Sequence, residues 1–213
     1  MDAKRLARDE RADLADFLAT LSPEQWEAPT LCERWRVREV VAHLISYDDL
    51  NGRELLRRFA KGRLSPNRAN AVGVTESDTL GPEDLLARLN DRLDPGGLTA
   101  GFGGRIALVD GLIHHQDIRR PLGRLREIPP ERLRPALSFA LIAPPIRGFW
   151  RARGLRLVAS DLDWAGGRGQ LVEGPAEALL MAIAGRRGAA GQLRGLGQPT
   201  LAARIRGEIR GDH

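Results

Sequence analysis

The chain has a single cysteine, Cys32, so no internal disulfide can form. Lysine is almost missing. Only Lys4 and Lys61 occur among 33 basic residues, and arginine supplies the rest. Aromatic residues make up 5% of the chain, and no apolar run is long enough to span a membrane. The opening Met1-Asp-Ala-Lys-Arg-Leu-Ala-Arg lacks the apolar core of a secretory signal. A cytoplasmic protein without a membrane partner is the expectation. The net charge of +5 would suit nucleic acid, but the arginines alternate with Asp and Glu, and no nucleic-acid module signature is present. The Arg, Ala and Gly excess reads as a GC-rich coding bias, and no nucleic-acid partner is expected.

The composition is that of a globular protein, 42% hydrophobic and 29% charged, and 213 residues suffice for one large or two small domains. Periodicity predicts amphipathic helices over 4–21, 36–61, 82–93, 105–119 and 130–143. A short turn carrying Trp26 lies between the first two, opened by Ser22-Pro-Glu-Gln25 as a capping box. The stretch 62–80 has no period and reads as a long loop. After Gly154 the pattern changes to strands at 155–159, 162–164 and 169–173, then a helix over 176–185. The tail carries Leu201, Ile205 and Ile209 on a further helix or strand. The predicted fold class is α+β, a helical bundle over residues 1–150 followed by a small α/β domain over 151–213. Trp26, Trp35, Trp150 and Trp164 read as core anchors.

The segment Arg105–Arg119 is unusual. On a helix, Ile106, Val109 and Ile113 share a stripe with Asp110, His114 and Asp117, while His115 points nearly the opposite way and is expected to face solvent. Carboxylates and an imidazole on a core stripe are costly unless something satisfies them. Asp110 and His114 stand at i,i+4, where two side chains can reach one cation. His43, beside the apolar stripe of the second helix, supplies a third ligand of suitable type. Two imidazoles and a carboxylate suit Zn²⁺ or another divalent transition ion with a position left open. Asp117, one turn on, can accept the other ring N–H of a ligating histidine or pair with an arginine. The competing reading is a buried Asp110–His114 ion pair with a packed His43. Asp48, in mid-stripe, also needs a partner. Cys32 reads as a packed thiol or a reactive one.

Cys32-Glu-Arg-Trp-Arg-Val-Arg-Glu-Val-Val-Ala-His43-Leu resembles the first metal-ligand segment of the mycothiol-dependent maleylpyruvate isomerases and their actinobacterial relatives, within the DinB-like four-helix bundles. Asp110-Gly-Leu-Ile-His114-His-Gln-Asp117 resembles that family's acidic-x-x-x-His-x-x-Asp element. Ala159-Ser-Asp-Leu-Asp-Trp164, Gly174-Pro-Ala-Glu-Ala-Leu-Leu180 and Ala184-Gly-Arg186 resemble its small C-terminal domain. The resemblance implies a DinB-like up-down four-helix bundle with a small α/β C-terminal domain. It implies that His43, Asp110 and His114 bind a divalent metal, zinc first among the choices, although the family's characterised isomerase has Glu where this chain has Asp110. It further implies that mycothiol binds this metal as a thiolate and attacks a small electrophile, giving isomerisation or S-transfer. Arg186 and Arg120 are the candidates for holding a substrate carboxylate, against a plain surface-charge reading. The expected partners are the electrophile and the low-molecular-weight thiol, in a monomer or homodimer. A non-catalytic metal-binding sensor or regulator and a metal-dependent hydrolase are the alternatives.

Overall fold

The computed structural model describes residues 2–33 and 35–207. Ile209 and His213 lie outside the described residues. The fold is α+β: among the described residues, a helical majority with one three-stranded sheet. The chain forms two compact units, Met1–Arg126 and Glu127–His213. The division falls ahead of the boundary near 150 expected from the sequence. Helix 130–140 packs on the helix at 176–183 and so belongs with the C-terminal sheet. No helix among the described residues is long and apolar enough to cross a membrane.

In the first unit, α1 (Ala3–Leu18) is capped by Asp2, whose side chain accepts from the Lys4 N–H. The predicted capping box opens α2 (Pro23–Trp26): Ser22 and Gln25 satisfy each other's backbone N–H groups. The single helix expected over 36–61 is instead two, α3 (Val37–Ile45) and α4 (Gly52–Lys61). Ser46 turns back to the His43 carbonyl at 2.9 Å. Asn51 then starts a new helix, its side chain accepting from Arg53 and Glu54 while Glu54 accepts from the Asn51 N–H.

The expected loop at 62–80 contains α5 (Pro66–Thr75). Its weak apolar period is accounted for by close helix contacts rather than a greasy stripe. A Cβ on Gly73 would stand 2.8 Å from Ser46 Oγ and 2.9 Å from the Arg58 guanidinium. Then follow α6 (Pro82–Asp91) and α7 (Arg105–Arg119). A four-helix bundle results from α1, α3, α6 and α7, each packed on two of the others. Leu14, Leu18, Val37, Val40, Val41, Leu44, Leu85, Leu89 and Ile118 form a buried cluster at its centre.

Asp48, in the break between α3 and α4, finds its partner in Arg11 of α1. The guanidinium takes both carboxylate oxygens, at 2.9 and 3.1 Å, and also donates to the Arg92 carbonyl at 2.6 Å. Both side chains are almost wholly buried. The pair ties α1 to the α3–α4 break and to the end of α6.

In the second unit, α8 (Pro130–Ala140) and α9 (Gly148–Ala152) precede the sheet. Its strands are β1 (Leu155–Ala159), β2 (Ala165–Gly167) and β3 (Gln170–Gly174), in the order β2-β1-β3. β1 pairs antiparallel with β2 and parallel with β3. The strand expected at 162–164 is a turn, and pairing begins one residue later. Trp164 ends that turn: its indole N–H donates to Ser138 Oγ at 3.0 Å. Leu155 and Leu157 bury one face against α10 (Ala176–Ile183), whose residues are nearly all buried. The tail forms α11 (Gln198–Arg206). Trp26 and Trp164 are core residues as expected, Trp35 is half-buried, and Trp150 is exposed.

His115 is not at the surface. It is fully buried, because α1 presents Glu10 to it across the α1–α7 contact. His115 Nδ1 lies 2.8 Å from Glu10 Oε1, and Arg119 Nε–H donates to His115 Nε2 at 2.8 Å. The Arg119 bond requires a lone pair on Nε2, so the proton sits on Nδ1 and donates to Glu10. Arg126 also donates to Glu10. Burial pushes the His115 pKa down to about 4. Burial would raise the Glu10 carboxyl, but His115 and Arg126 bring it below its ordinary value.

An unfolded histidine titrates near 6.5, so between roughly pH 6.5 and 4 the unfolded chain binds a proton that the fold refuses. Stability from His115 is therefore complete above that window and lost as pH falls through it, by at most about 3 kcal/mol. Denaturant unfolding at pH 7.5 and 4.5 checks this. The stability difference between the two pH values is expected to shrink in His115→Gln, and an unchanged difference would count against the assignment.

Candidate metal centre

His43 sits near the C-terminal end of α3, and Asp110 and His114 lie on successive turns of α7. The packing of α3 on α7 brings the three together. His43 Nε2 is 3.7 Å from Asp110 Oδ2, and His114 Nε2 is 3.4 Å from Asp110 Oδ1. The two imidazoles meet edge to face, with centroids 4.9 Å apart. One ligand atom from each residue falls within 4.8 Å of the others. Both histidine side chains are nearly buried, whereas 34% of the Asp110 side chain remains exposed, so the cluster opens to solvent on the Asp110 side.

The back of His114 is held differently. Its Nδ1 is 2.9 Å from Asp117 Oδ2, and Asp117 is fully buried. Cys32, from the connector between α2 and α3, donates its S–H to the same oxygen at 3.0 Å. The Leu31 N–H also donates to the Asp117 carbonyl, at 3.1 Å. His43 lies between two aromatic rings: Trp35 at 5.0 Å between centroids and Tyr47 at 6.1 Å, edge on. Nδ1 of His43 is buried and has no hydrogen-bond partner among the described residues. Tyr47 donates its hydroxyl to Asn70 Oδ1 at 2.7 Å, which ties α5 to this side of the site. Burial pushes the Tyr47 pKa up.

The electrostatics follow from opposite charges in a desolvated place. Burial would raise the Asp110 carboxyl, but the charges of His114 and His43 beside it hold it well below the usual carboxylate range. Burial works against a charged His114, but Asp110 and Cys32 hold its pKa well above the ordinary value.

Asp117 accepts at His114 Nδ1, which leaves Nε2 directed toward Asp110 and His43. The 3.4 and 3.7 Å spacings are long for hydrogen bonds. They are near the roughly 3.3–3.5 Å between N and O ligands that share one tetrahedral cation. The donor set, two imidazole nitrogens and one carboxylate, fits a divalent transition ion with an open position.

Residues 7–95 match the family model described as the mycothiol maleylpyruvate isomerase N-terminal domain. The chain's resemblance is to the mycothiol maleylpyruvate isomerase family. The matched stretch contains Cys32 and His43 and ends before Asp110 and His114. Two solved structures are similar over nearly the whole chain. One is a histidine-to-alanine mutant of the mycothiol-dependent maleylpyruvate isomerase, 18% identical, with a TM-score of 0.59. The other is the mycothiol-dependent maleylpyruvate isomerase itself, 17% identical, with a TM-score of 0.54. In each case 99% of this chain and 95% of the other are covered, a likeness of fold. No curated protein gives a significant sequence match.

The two arginines singled out in the sequence occupy different units. Arg120 follows the last residue of α7, its backbone N–H bonded to the Gln116 carbonyl. Arg186 belongs to the second unit, where its guanidinium donates to the Ala184 carbonyl at 3.1 Å. The sequence placed Tyr47 beside His43, one turn on, but gave Cys32 no tie to Asp117 and no contact of the Trp35 ring with His43. The spacing Trp35–His43–Tyr47 was visible, but only the turn into α3 sets Trp35 against the imidazole.

Proposed function

We propose that the protein is a metal-dependent, mycothiol-dependent enzyme that isomerises, or transfers the thiol to, a small electrophile. The observation that carries this reading is the convergence of His43 Nε2, His114 Nε2 and the Asp110 carboxylate at cation spacing, with Asp117 on the far nitrogen of His114. The family match to residues 7–95 and the fold likeness support the thiol and the reaction class. A divalent ion held there, zinc by the donor set, would supply Lewis-acid stabilisation of a bound thiolate at neutral pH.

The chain's own residues do the rest. With a divalent ion bound, His43 and His114 would each offer a deprotonated ring nitrogen and Asp110 one negative charge, which would leave the site net positive toward an anionic sulfur. Asp117 fixes the His114 tautomer and ring orientation. Trp35 and Tyr47 fix the plane of His43 and screen it from water. The solvent-facing side at Asp110 is the side on which a thiol and an electrophile can enter. Arg120 and Arg186 remain the proposed groups for a substrate carboxylate. A cytoplasmic location, with no nucleic-acid or membrane partner, stays part of the same proposal.

The test is metal content together with mycothiol-dependent turnover of a conjugated cis-diacid on wild type and Asp117→Asn. Wild type is expected to retain about one divalent ion per chain. Asp117→Asn is expected to lose roughly 10- to 100-fold in metal affinity and activity together. A wild-type protein that takes up no zinc, cobalt or manganese would overturn the proposal. Turnover without any thiol would favour a hydrolase instead.

A further inference from the structure

His114 carries two kinds of spacing on its two ring nitrogens. On the Nε2 side the distance to Asp110 is 3.4 Å, long for a hydrogen bond. On the Nδ1 side the distances are those of hydrogen bonds. Asp117 Oδ2 lies 2.9 Å from Nδ1 and 3.0 Å from Cys32 Sγ, and the sulfur lies 3.4 Å from Nδ1. One carboxylate oxygen therefore accepts from a thiol and an imidazole at once. Cys32 is itself held from its own loop: its N–H donates to Thr30 Oγ1 at 3.1 Å, and that hydroxyl donates to the Trp35 carbonyl at 2.8 Å. The ring of Trp35 packs on His43. The connector thus touches both histidines, one through the Cys32–Asp117 pair and the other through an aromatic face.

We infer that Cys32 is a positioning residue: its S–H donor fixes the Asp117 carboxylate so that His114 keeps its Nδ1–H on Asp117 and its ring turned with Nε2 toward Asp110 and His43. A thiol that merely fills space would be replaceable by any apolar group of similar size. A thiol that donates would be replaceable only by another donor, and serine is the smallest change that keeps one. The consequence for metal affinity rests on the proposed metal reading. The Nδ1–H hydrogen bond to Asp117 does not.

The experiment uses full-length Cys32→Ser, Cys32→Val and Cys32→Ala, with thermal melts to establish that each folds. Histidine-labelled metal-free protein is examined by nitrogen NMR. The His114 Nδ1–H signal of wild type is expected to persist in the serine variant and to shift or broaden in the alanine and valine variants. Zinc affinity is then measured by competition with a chelating dye. The serine variant is expected within about threefold of wild type, and alanine and valine about 10- to 100-fold weaker. Alanine or valine variants that match wild type in both readouts would overturn the inference, as would a serine variant as impaired as alanine. If wild type binds no zinc, the metal proposal fails, while the NMR comparison still decides the role of Cys32.

Discussion

His43→Ala is expected to empty the proposed cation site and stop thiol-dependent turnover while leaving the bundle folded. His43 is the proposed ligand from α3, and the other two proposed ligands, Asp110 and His114, both come from α7. Two ligands at i,i+4 on one helix make a weak chelate, and the third, from a second helix, closes it. Loss of metal affinity beyond roughly 100-fold is the expectation, since changes one shell further out already cost 10- to 100-fold. The fold should survive, because α3 is anchored by Val37, Val40, Val41 and Leu44, all buried, and alanine suits a helix. Asp110→Glu keeps a carboxylate on the same helix face and should retain metal. The measurements are metal analysis after purification without chelator, a dye-competition titration and circular dichroism. Equal metal content in wild type and His43→Ala would remove His43 from the site.

Arg11→Ala should be among the most destabilising substitutions away from the site. Among the described residues it leaves the Asp48 carboxylate in a nearly dry place with Thr99 and the Gly96 N–H as hydrogen-bond donors, and it strips a donor from the Arg92 carbonyl. Removing one partner of a buried ion pair typically costs about 3–5 kcal/mol, because the other charge stays behind. For a chain of this size that corresponds to a drop of roughly 6–20 °C in Tm. Replacing both groups by apolar residues, Arg11→Met with Asp48→Leu, should recover much of the loss, since no charge is then stranded. Urea unfolding of the single and double variants checks both statements. A loss under about 1 kcal/mol in Arg11→Ala would mean that water reaches Asp48.

The candidate site was legible because its signal is local. Asp110, His114 and Asp117 lie within eight residues, and helical periodicity alone puts them on one stripe. His43 was found as a ligand type beside an apolar face, and the helix packing brings it to them. His115 was misread for the same local reason: its direction on α7 was inferred correctly, but what lies in that direction is α1, with Glu10 waiting. The break at Ser46–Leu50 was written in the Asn51-x-x-Glu54 capping box, which the longer apolar stripe overrode. Helix α5 left a weaker trace, because its contacts use Gly73 and Asn70 rather than a run of large apolar residues.

By itself the sequence determined the α+β class, most helix and strand locations, the polar stripe on α7 and the family resemblance. These depend on residues a few positions apart, where chain geometry dictates who can meet. Only the tertiary structure decided that Arg11 answers Asp48, that Glu10 buries His115, that α8 sides with the sheet, and that Cys32 shares Asp117 with His114. Those pairings join residues far apart in the chain. Their partners are chosen by how helices pack, and no local period records that choice.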